Sequence, residues 1–71
     1  MERKNVISSN IKSIGYDVVR SLLEVEFHSG WIYQYLGVPQ HLYLGLMQAS
    51  SHGGYLDDYI KKGGFSYTRV R

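Results

Sequence analysis

The sequence has no cysteine, a single proline and no long hydrophobic run. Without cysteine the chain has neither a disulfide framework nor a thiolate metal site, which excludes disulfide-dense secreted scaffolds and favours a reducing compartment. No stretch reaches the length of a signal-peptide core or a membrane-spanning helix. These absences predict a cytoplasmic protein without a membrane partner.

The chain also has only a small excess of positive charge, because eight Lys and Arg oppose six Asp and Glu and leave a formal net charge of +2. The distribution carries more information than the total. Residues 61–71 carry +4 with no acid, so the remainder of the chain carries −2. The cations of this segment are Lys61, Lys62, Arg69 and Arg71. Arg3 and Lys4 extend the same surface if the termini lie close together.

A chain of 71 residues is expected to form one small domain with a single modest core. Residues 1–8 lack a sustained pattern, so we expect an irregular N-terminal segment in which Val6-Ile7 is able to pair with a strand edge. The domain then comprises residues 9–71. Its first strand has Ile14 and Tyr16 on one face, and Ile11 precedes them at an irregular spacing.

The next two strands form a hairpin whose register decides the role of three aromatic residues. Between Leu22 and Phe27, apolar side chains alternate with Glu24 and Glu26, which is typical of a sheet covered on one side. Three aromatics then alternate along the following strand: Trp31, Tyr33 and Tyr35. Facing solvent, this row is a platform for stacking bases. Facing inward, it is the centre of the core.

The hairpin loop favours the inward orientation. A two-residue Ser-Gly loop would place the aromatic row on the exposed face. A three-residue loop over residues 28–30, with Gly30 in the left-handed conformation, would pair Phe27 with Trp31 and place the aromatic row in the core. Ser-Gly is a weak two-residue turn signal. The two-residue loop also buries Gln34 among aliphatic side chains, and an unpaired buried amide costs about 1–3 kcal/mol. We therefore predict the three-residue loop, with the aromatic row in the core and Gln34 opposite a glutamate outside.

After the third strand the period becomes helical. The pattern predicts a helix from about Pro39 to Ala49, a break over residues 50–54, and a second helix from about Gly54 to Lys62. Alternation returns in residues 65–70 and predicts a final strand. The predicted fold is α+β with the order βββααβ, an antiparallel or mixed sheet and two short helices packed mainly on one face.

A series of short segments runs through the chain in a distinctive order. They are Ser8-Ser9-Asn10-Ile11, Ile14-Gly15-Tyr16-Asp17, Leu23-Glu24-Val25-Glu26-Phe27, Ser29-Gly30, Tyr33-Gln34-Tyr35, Val38-Pro39, Ala49-Ser50-Ser51, Gly53, Tyr55, Ile60 and Tyr67-Thr68-Arg69-Val70. In this order they resemble the KTSC domain, which is named for its occurrence at the C-terminus of some lysyl-tRNA synthetases. The family also occurs as small stand-alone bacterial proteins, and its central feature is a Tyr-x-Tyr motif.

The resemblance implies a role in binding RNA. The family motif often has Arg where this chain has Gln34, and a neutral amide weakens a phosphate contact at that position. We therefore interpret Tyr33 and Tyr35 as structural and place the candidate nucleic-acid-binding surface on the C-terminal cations, with an aromatic stacking partner. Its members are Lys61, Lys62, Arg69, Arg71 and Tyr67. The competing interpretation is that these cations serve only a helix end and an edge strand.

The sequence shows no combination of nucleophile, base or metal ligands of the kind that a catalytic site requires. His28, His41 and His52 belong to separate predicted elements, and the adjacent Asp57 and Asp58 point in different directions on a helix. We predict no catalytic residue, metal or cofactor, so the protein is not expected to be an enzyme. Two functions remain: a module that binds RNA or other single-stranded nucleic acid, and a protein-interaction module or homodimer that uses a sheet edge or exposed apolar residues.

Overall fold

The computed structural model describes residues 1–71 and contains five strands and two helices. The strands form one antiparallel sheet in sequential order, and both helices lie between the fourth and fifth strands in the chain. The elements are β1 (Lys4–Asn5), β2 (Ile11–Asp17), β3 (Leu22–Phe27), β4 (Ile32–Leu36), α1 (Gln40–Gln48), α2 (beginning as His52–Tyr55) and β5 (Tyr67–Arg69). The predicted α+β class and element order are confirmed, with one additional strand at the N-terminus.

The loop between β3 and β4 has three residues, as predicted. The Phe27 amide donates to the Trp31 carbonyl over 2.9 Å, and the Gly30 amide donates to the Phe27 carbonyl over 2.9 Å. Gly30 has φ +96°, which is the left-handed conformation that this loop requires. Val25 consequently pairs with Tyr33. Local turn chemistry therefore determines which face of β4 carries the aromatic row.

Substitution of Gly30 tests this determinant. No atom lies within 4 Å of an added Cβ, so backbone strain is the main cost of a side chain there. We expect Gly30→Ala to lower the free energy of unfolding by about 1–2 kcal/mol in urea denaturation. Gly30→Asn should lose less, because asparagine tolerates positive φ better than alanine. Equal losses in the two variants would contradict strain as the cause.

The irregular spacing in β2 also has a structural reason. Ile11 pairs with Phe27 while Ser13 pairs with Glu26, so the register shifts by one residue between them. The extra residue brings Ile11 onto the face that carries Ile14. Strict alternation would have placed these two isoleucines on opposite faces.

Both helices pack on one face of the sheet, which we call the helix-side face, and the opposite one is the open face. Leu23 and Val25 lie on the helix-side face, whereas Glu24 and Gln34 lie on the open face. Side chains of the sheet and both helices form a single core. Its buried members are Ile11, Ile14, Leu23, Val25, Tyr35, Val38, Leu46, Leu56 and Ile60.

The second helix begins earlier than predicted because its N-terminus is capped. The Ser51 hydroxyl accepts from the Gly54 amide over 3.1 Å, and the His52 ring donates to the Leu46 carbonyl over 2.8 Å. The helix continues as a π-helical turn over Leu56–Ile60 and a 3-10 turn over Lys61–Gly63. We refer to this whole helical segment as α2. Neither helix is long and apolar enough to cross a membrane.

Part of the N-terminal segment is regular rather than irregular. Lys4–Asn5 pairs with β2, and the Val6 amide continues this pairing by donating to the Lys12 carbonyl over 3.1 Å, so the expected pairing at Val6 is present and begins two residues earlier. The approach is close, because a Cβ added at Gly15 would lie 2.7 Å from the Glu2 carbonyl oxygen. Glycine at this position therefore lets the N-terminal segment lie against the sheet and brings Arg3 over the open face.

Candidate functional site

The helices cover only part of the helix-side face. Exposure increases from Tyr35 back towards the start of β4: Tyr35 is 2% exposed, Tyr33 is partly buried, and Trp31, which directly precedes the strand, is 49% exposed. On the neighbouring strand, Tyr67 is 63% exposed. Tyr35 therefore lies in the core, whereas the expected burial of Trp31 is wrong. The register directs a side chain to one face, but the reach of the helix layer decides whether that side chain is covered.

The uncovered region is a cluster of aromatic rings around Tyr33. The Tyr33 ring is stacked near Tyr67 and Trp31, at centroid distances of 5.8 and 6.3 Å, and it meets Phe27 edge-on at 5.8 Å. We call Phe27, Trp31, Tyr33 and Tyr67 the aromatic surface. Its rings hold one another in place while two of them remain about half exposed or more.

Two of the predicted cations flank this surface. The Arg69 guanidinium lies over the Trp31 ring, with Cζ 4.5 Å from the ring centroid. The Lys61 Nζ lies 5.6 Å from the Phe27 centroid and 3.2 Å from the Asp57 carboxylate. Positive charge therefore reaches the aromatic surface from both β5 and α2.

The aromatic surface contains two neighbouring cavities. The first, the Trp31 cavity, has a volume of about 320 Å³ and is also lined by Asn10 and Ser29. The second, the Tyr67 cavity, has a volume of about 300 Å³. The residues that line both cavities are Tyr33, Tyr35 and Lys61.

The five residues proposed from sequence do not lie together. The structure groups Lys61, Tyr67 and Arg69 around the aromatic surface. Lys62 forms an ion pair with Asp58 at 3.6 Å and lines neither cavity. Arg71 reaches Glu26 on the open face at 3.7 Å. Sequence reasoning did not include Phe27 or Asn10 in the site, and it considered Trp31 as part of a stacking platform but assigned it to the core.

The open face carries a second polar cluster, in which Arg3 lies between two buried glutamates. Its guanidinium donates to Glu24, lies 3.5 Å from Glu26 and donates to the Ser13 hydroxyl over 2.9 Å. Gln34 donates to the other Glu24 oxygen over 2.8 Å, so the predicted Glu24–Gln34 neighbourhood is confirmed. We call Arg3, Ser13, Glu24, Glu26 and Gln34 the Arg3 cluster.

These contacts determine the protonation of the two carboxyls. Burial raises the pKa of Glu24, but hydrogen bonds from Gln34 and Arg3 outweigh it and hold the pKa below its ordinary value. For Glu26, the hydrogen bond from Ser13 is the largest cause and lowers the pKa against burial, with nearby positive charges adding to the effect. Both carboxylates are therefore ionised and paired at neutral pH, which suits a stabilising role.

The polar side chains at the junction between the helices and in the first turns of α2 have structural partners. Ser51 and His52 stabilise the junction between the helices through the two hydrogen bonds given above. Asp57 and Asp58 form ion pairs with lysines one helical turn later. No group of three or more potential metal-ligating side chains lies together. Burial raises the pKa of Tyr35 to about 12, with Tyr33, Tyr67 and Asp57 nearby, so its hydroxyl stays protonated at neutral pH.

Comparison with known proteins identifies the family. The KTSC domain model matches residues 7–65. The crystal structure of a KTSC domain protein from Yersinia pestis is 42% identical in sequence and superimposes with a TM-score of 0.90, covering 99% of this chain and 97% of that one. An uncharacterized protein from Stutzerimonas stutzeri (strain A1501) is 37% identical over 70 residues, 99% of each chain. This chain belongs to the KTSC domain family.

Proposed function

We propose that this protein is a non-enzymatic module that binds single-stranded RNA through the aromatic surface, with Lys61 and Arg69 contacting phosphates. The observation that carries the proposal is the half-exposed ring of Trp31 on the same surface as the more exposed Tyr67 and these two cations. Exposed rings next to positive charge match both parts of a single strand, because bases stack on aromatic faces and phosphates pair with cations.

Stacking provides the larger contribution. Base–aromatic stacking contributes about 1–3 kcal/mol per base, and guanidinium planes stack on bases as well. Arg69 and Trp31 therefore form one stacking unit that also carries a positive charge. A paired duplex offers no free base faces to this unit, so we expect single strands to bind in preference to duplexes.

Electrostatics contributes less and makes binding sensitive to salt. Two cations neutralise at most about two phosphates, which gives a slope near −1.4 in a plot of log K against log salt for a single strand. Lys61 also forms an ion pair with Asp57, which weakens its attraction for a phosphate. We therefore expect weak binding, with Kd in the range of about 10⁻⁴–10⁻⁶ M at physiological salt.

The test is a titration with single-stranded RNA at low and high salt, and single-stranded DNA as a second ligand. Trp31→Ala should weaken binding at least about fivefold through lost stacking. Lys61→Ala should weaken binding and reduce the salt slope by about 0.7. The control is Arg20→Ala, which removes one positive charge, as Lys61→Ala does, but from the loop before β3. Arg20 forms an ion pair only with Asp17 there.

The Arg20→Ala control decides whether the site is specific. Unchanged binding in that variant, together with losses in the other two, supports the aromatic surface. Equal losses in Arg20→Ala and Lys61→Ala would mean that only net charge matters, and the proposed site would then be wrong. Urea denaturation of each variant separates lost binding from lost folding.

The second candidate function is self-association through the edge of β5. This strand has no partner on its outer side, and Leu36 and Val70 are about half exposed nearby. A second copy that adds its own β5 would extend the sheet. Sedimentation of the protein alone should then show a salt-tolerant dimer, whereas a monomer at high concentration contradicts this function.

A further inference from the structure

We infer that the aromatic surface holds two consecutive nucleotides, with one base in each cavity and Lys61 at the phosphate between them. The inference rests on the proposed function and adds the size of the ligand and the role of each cavity. Its basis is that the Trp31 cavity and the Tyr67 cavity lie side by side and share one cation.

The volumes give each cavity enough room for one base. At about 320 and 300 Å³, both lie at the lower end of the range of about 300–1,000 Å³ for small-molecule sites. Each also has its own exposed aromatic wall, namely Trp31 in the first and Tyr67 in the second. A planar ring system therefore finds a stacking partner in either cavity, and the two walls together accommodate two bases.

Lys61 connects the two cavities. It is the one charged residue that lines both, and its ammonium carries three donors while its only ion pair is with Asp57. Donors therefore remain for a further anionic partner. In a dinucleotide, the linking phosphate lies between the two bases. The shared lysine matches this phosphate better than it matches a terminal one.

The two cavities differ in the polar groups that they offer. Asn10 and Ser29 line only the Trp31 cavity, whereas the polar groups of the Tyr67 cavity are Lys61 and the tyrosine hydroxyls. The Asn10 amide oxygen accepts from the Ser9 hydroxyl over 3.2 Å, whereas the amide NH₂ group has no partner and is able to donate to a base edge. The Trp31 cavity is therefore expected to discriminate among bases, and the Tyr67 cavity to accept any base that stacks.

The first experiment is a length series read by intrinsic fluorescence, because Trp31 is the only tryptophan in the chain. The ligands are adenosine monophosphate, the dinucleoside monophosphate ApA, the corresponding trinucleotide and hexanucleotide. We expect affinity to rise about tenfold from the mononucleotide to ApA, since a second stacked base is added. For strands longer than ApA, the affinity should rise only by a statistical factor, which is the number of positions along the strand at which two consecutive nucleotides are able to occupy the two cavities.

The outcomes separate this inference from the proposed function. An affinity that continues to rise with every added nucleotide overturns the two-nucleotide limit, and an ApA affinity equal to that of the mononucleotide overturns the second site. Both results leave RNA binding intact. If the hexanucleotide produces no binding even at low salt, the proposed function itself fails.

Variants assign the two cavities. Tyr67→Ala should reduce the ApA affinity to about that of the mononucleotide, whose own affinity should stay unchanged because the Trp31 cavity remains. Asn10→Ala should reduce the difference in affinity among the four mononucleotides. Lys62→Gln is the matched control, because Lys62 neighbours Lys61 but lines neither cavity, and it should leave both ligands unaffected. Equal losses for both ligands in Tyr67→Ala would overturn the assignment.

Discussion

Leu23→Ala is expected to lower the free energy of unfolding by about 2–5 kcal/mol. Leu23 is 0% exposed, lies within β3 and pairs with Tyr16 on one side and Tyr35 on the other. Truncation removes buried methyl groups and leaves a cavity between the sheet and the helices, which cannot close fully around it. A domain of this size has a total stability of only about 4–11 kcal/mol, so the loss removes a large share of it.

Leu36→Ala is the matched control, because it removes the same atoms from the adjoining strand. Leu36 is half exposed on the open face, so we expect its truncation to change stability by no more than about 0.5 kcal/mol. Urea denaturation of both variants provides the measurement. Similar losses for the two leucines would contradict a core confined to the helix-side face.

Arg3→Met is expected to produce the second large loss, of about 2–3 kcal/mol near neutral pH. Removing one partner of a buried ion pair leaves an uncompensated charge, which costs up to about 3–5 kcal/mol, and partial exposure of Arg3 reduces that cost. Glu24 and Glu26 would then lie buried with fewer donors. The methionine keeps most of the aliphatic part of the arginine side chain, so lost packing contributes little.

The loss in Arg3→Met should depend on pH in a defined direction. The pKa values of Glu24 and Glu26 lie below their ordinary value of 4.5 in the folded state. Their contribution to stability is therefore present above that value and is lost as pH falls through the lowered values. Because Arg3 causes part of the lowering, the difference between wild type and variant should narrow from about pH 7 to about pH 3.

An exposed ion pair provides the control for this second prediction. Arg20→Met breaks the surface pair with Asp17, which should cost less than about 1 kcal/mol at neutral pH. Urea denaturation of the wild type, Arg3→Met and Arg20→Met at about pH 7 and about pH 3 gives the six free energies of unfolding that are needed. If the Arg3→Met loss is the same at low pH as at neutral pH, the Arg3 cluster does not stabilise the fold through its charges.

Local sequence signals predicted the strands and their register well. The position of Gly30 selects a three-residue loop, and the alternation around Glu24 and Glu26 selects the face, so the Val25–Tyr33 pairing follows from residues close together in the chain. The start of α2 was less predictable. Ser51 caps its first turn through a local hydrogen bond, and His52 adds a hydrogen bond to the Leu46 carbonyl at the end of the preceding helix, which depends on how the two helices are arranged.

The candidate site was predicted only in part, because its members come from distant parts of the chain. The cations of residues 61–71 share a segment, yet Arg69 and Arg71 extend to opposite faces of the sheet. Trp31 shares a face with the core but lies beyond the helices that would cover it. The first fact depends on the end of β5, where the Val70 and Arg71 amides both donate to the Ile32 carbonyl and the alternation breaks, and the second depends on how far the helix layer extends.

The sequence by itself determined the family, the α+β order and the face on which Trp31, Tyr33 and Tyr35 lie, because turn conformation and side-chain alternation act between neighbouring residues. Only the tertiary structure decided that Tyr35 is buried while Trp31 is open, and that Lys61 and Arg69 adjoin it. The physical reason is coverage: burial and charge proximity depend on the position of α2 over the sheet, which arises from packing between residues far apart in the chain.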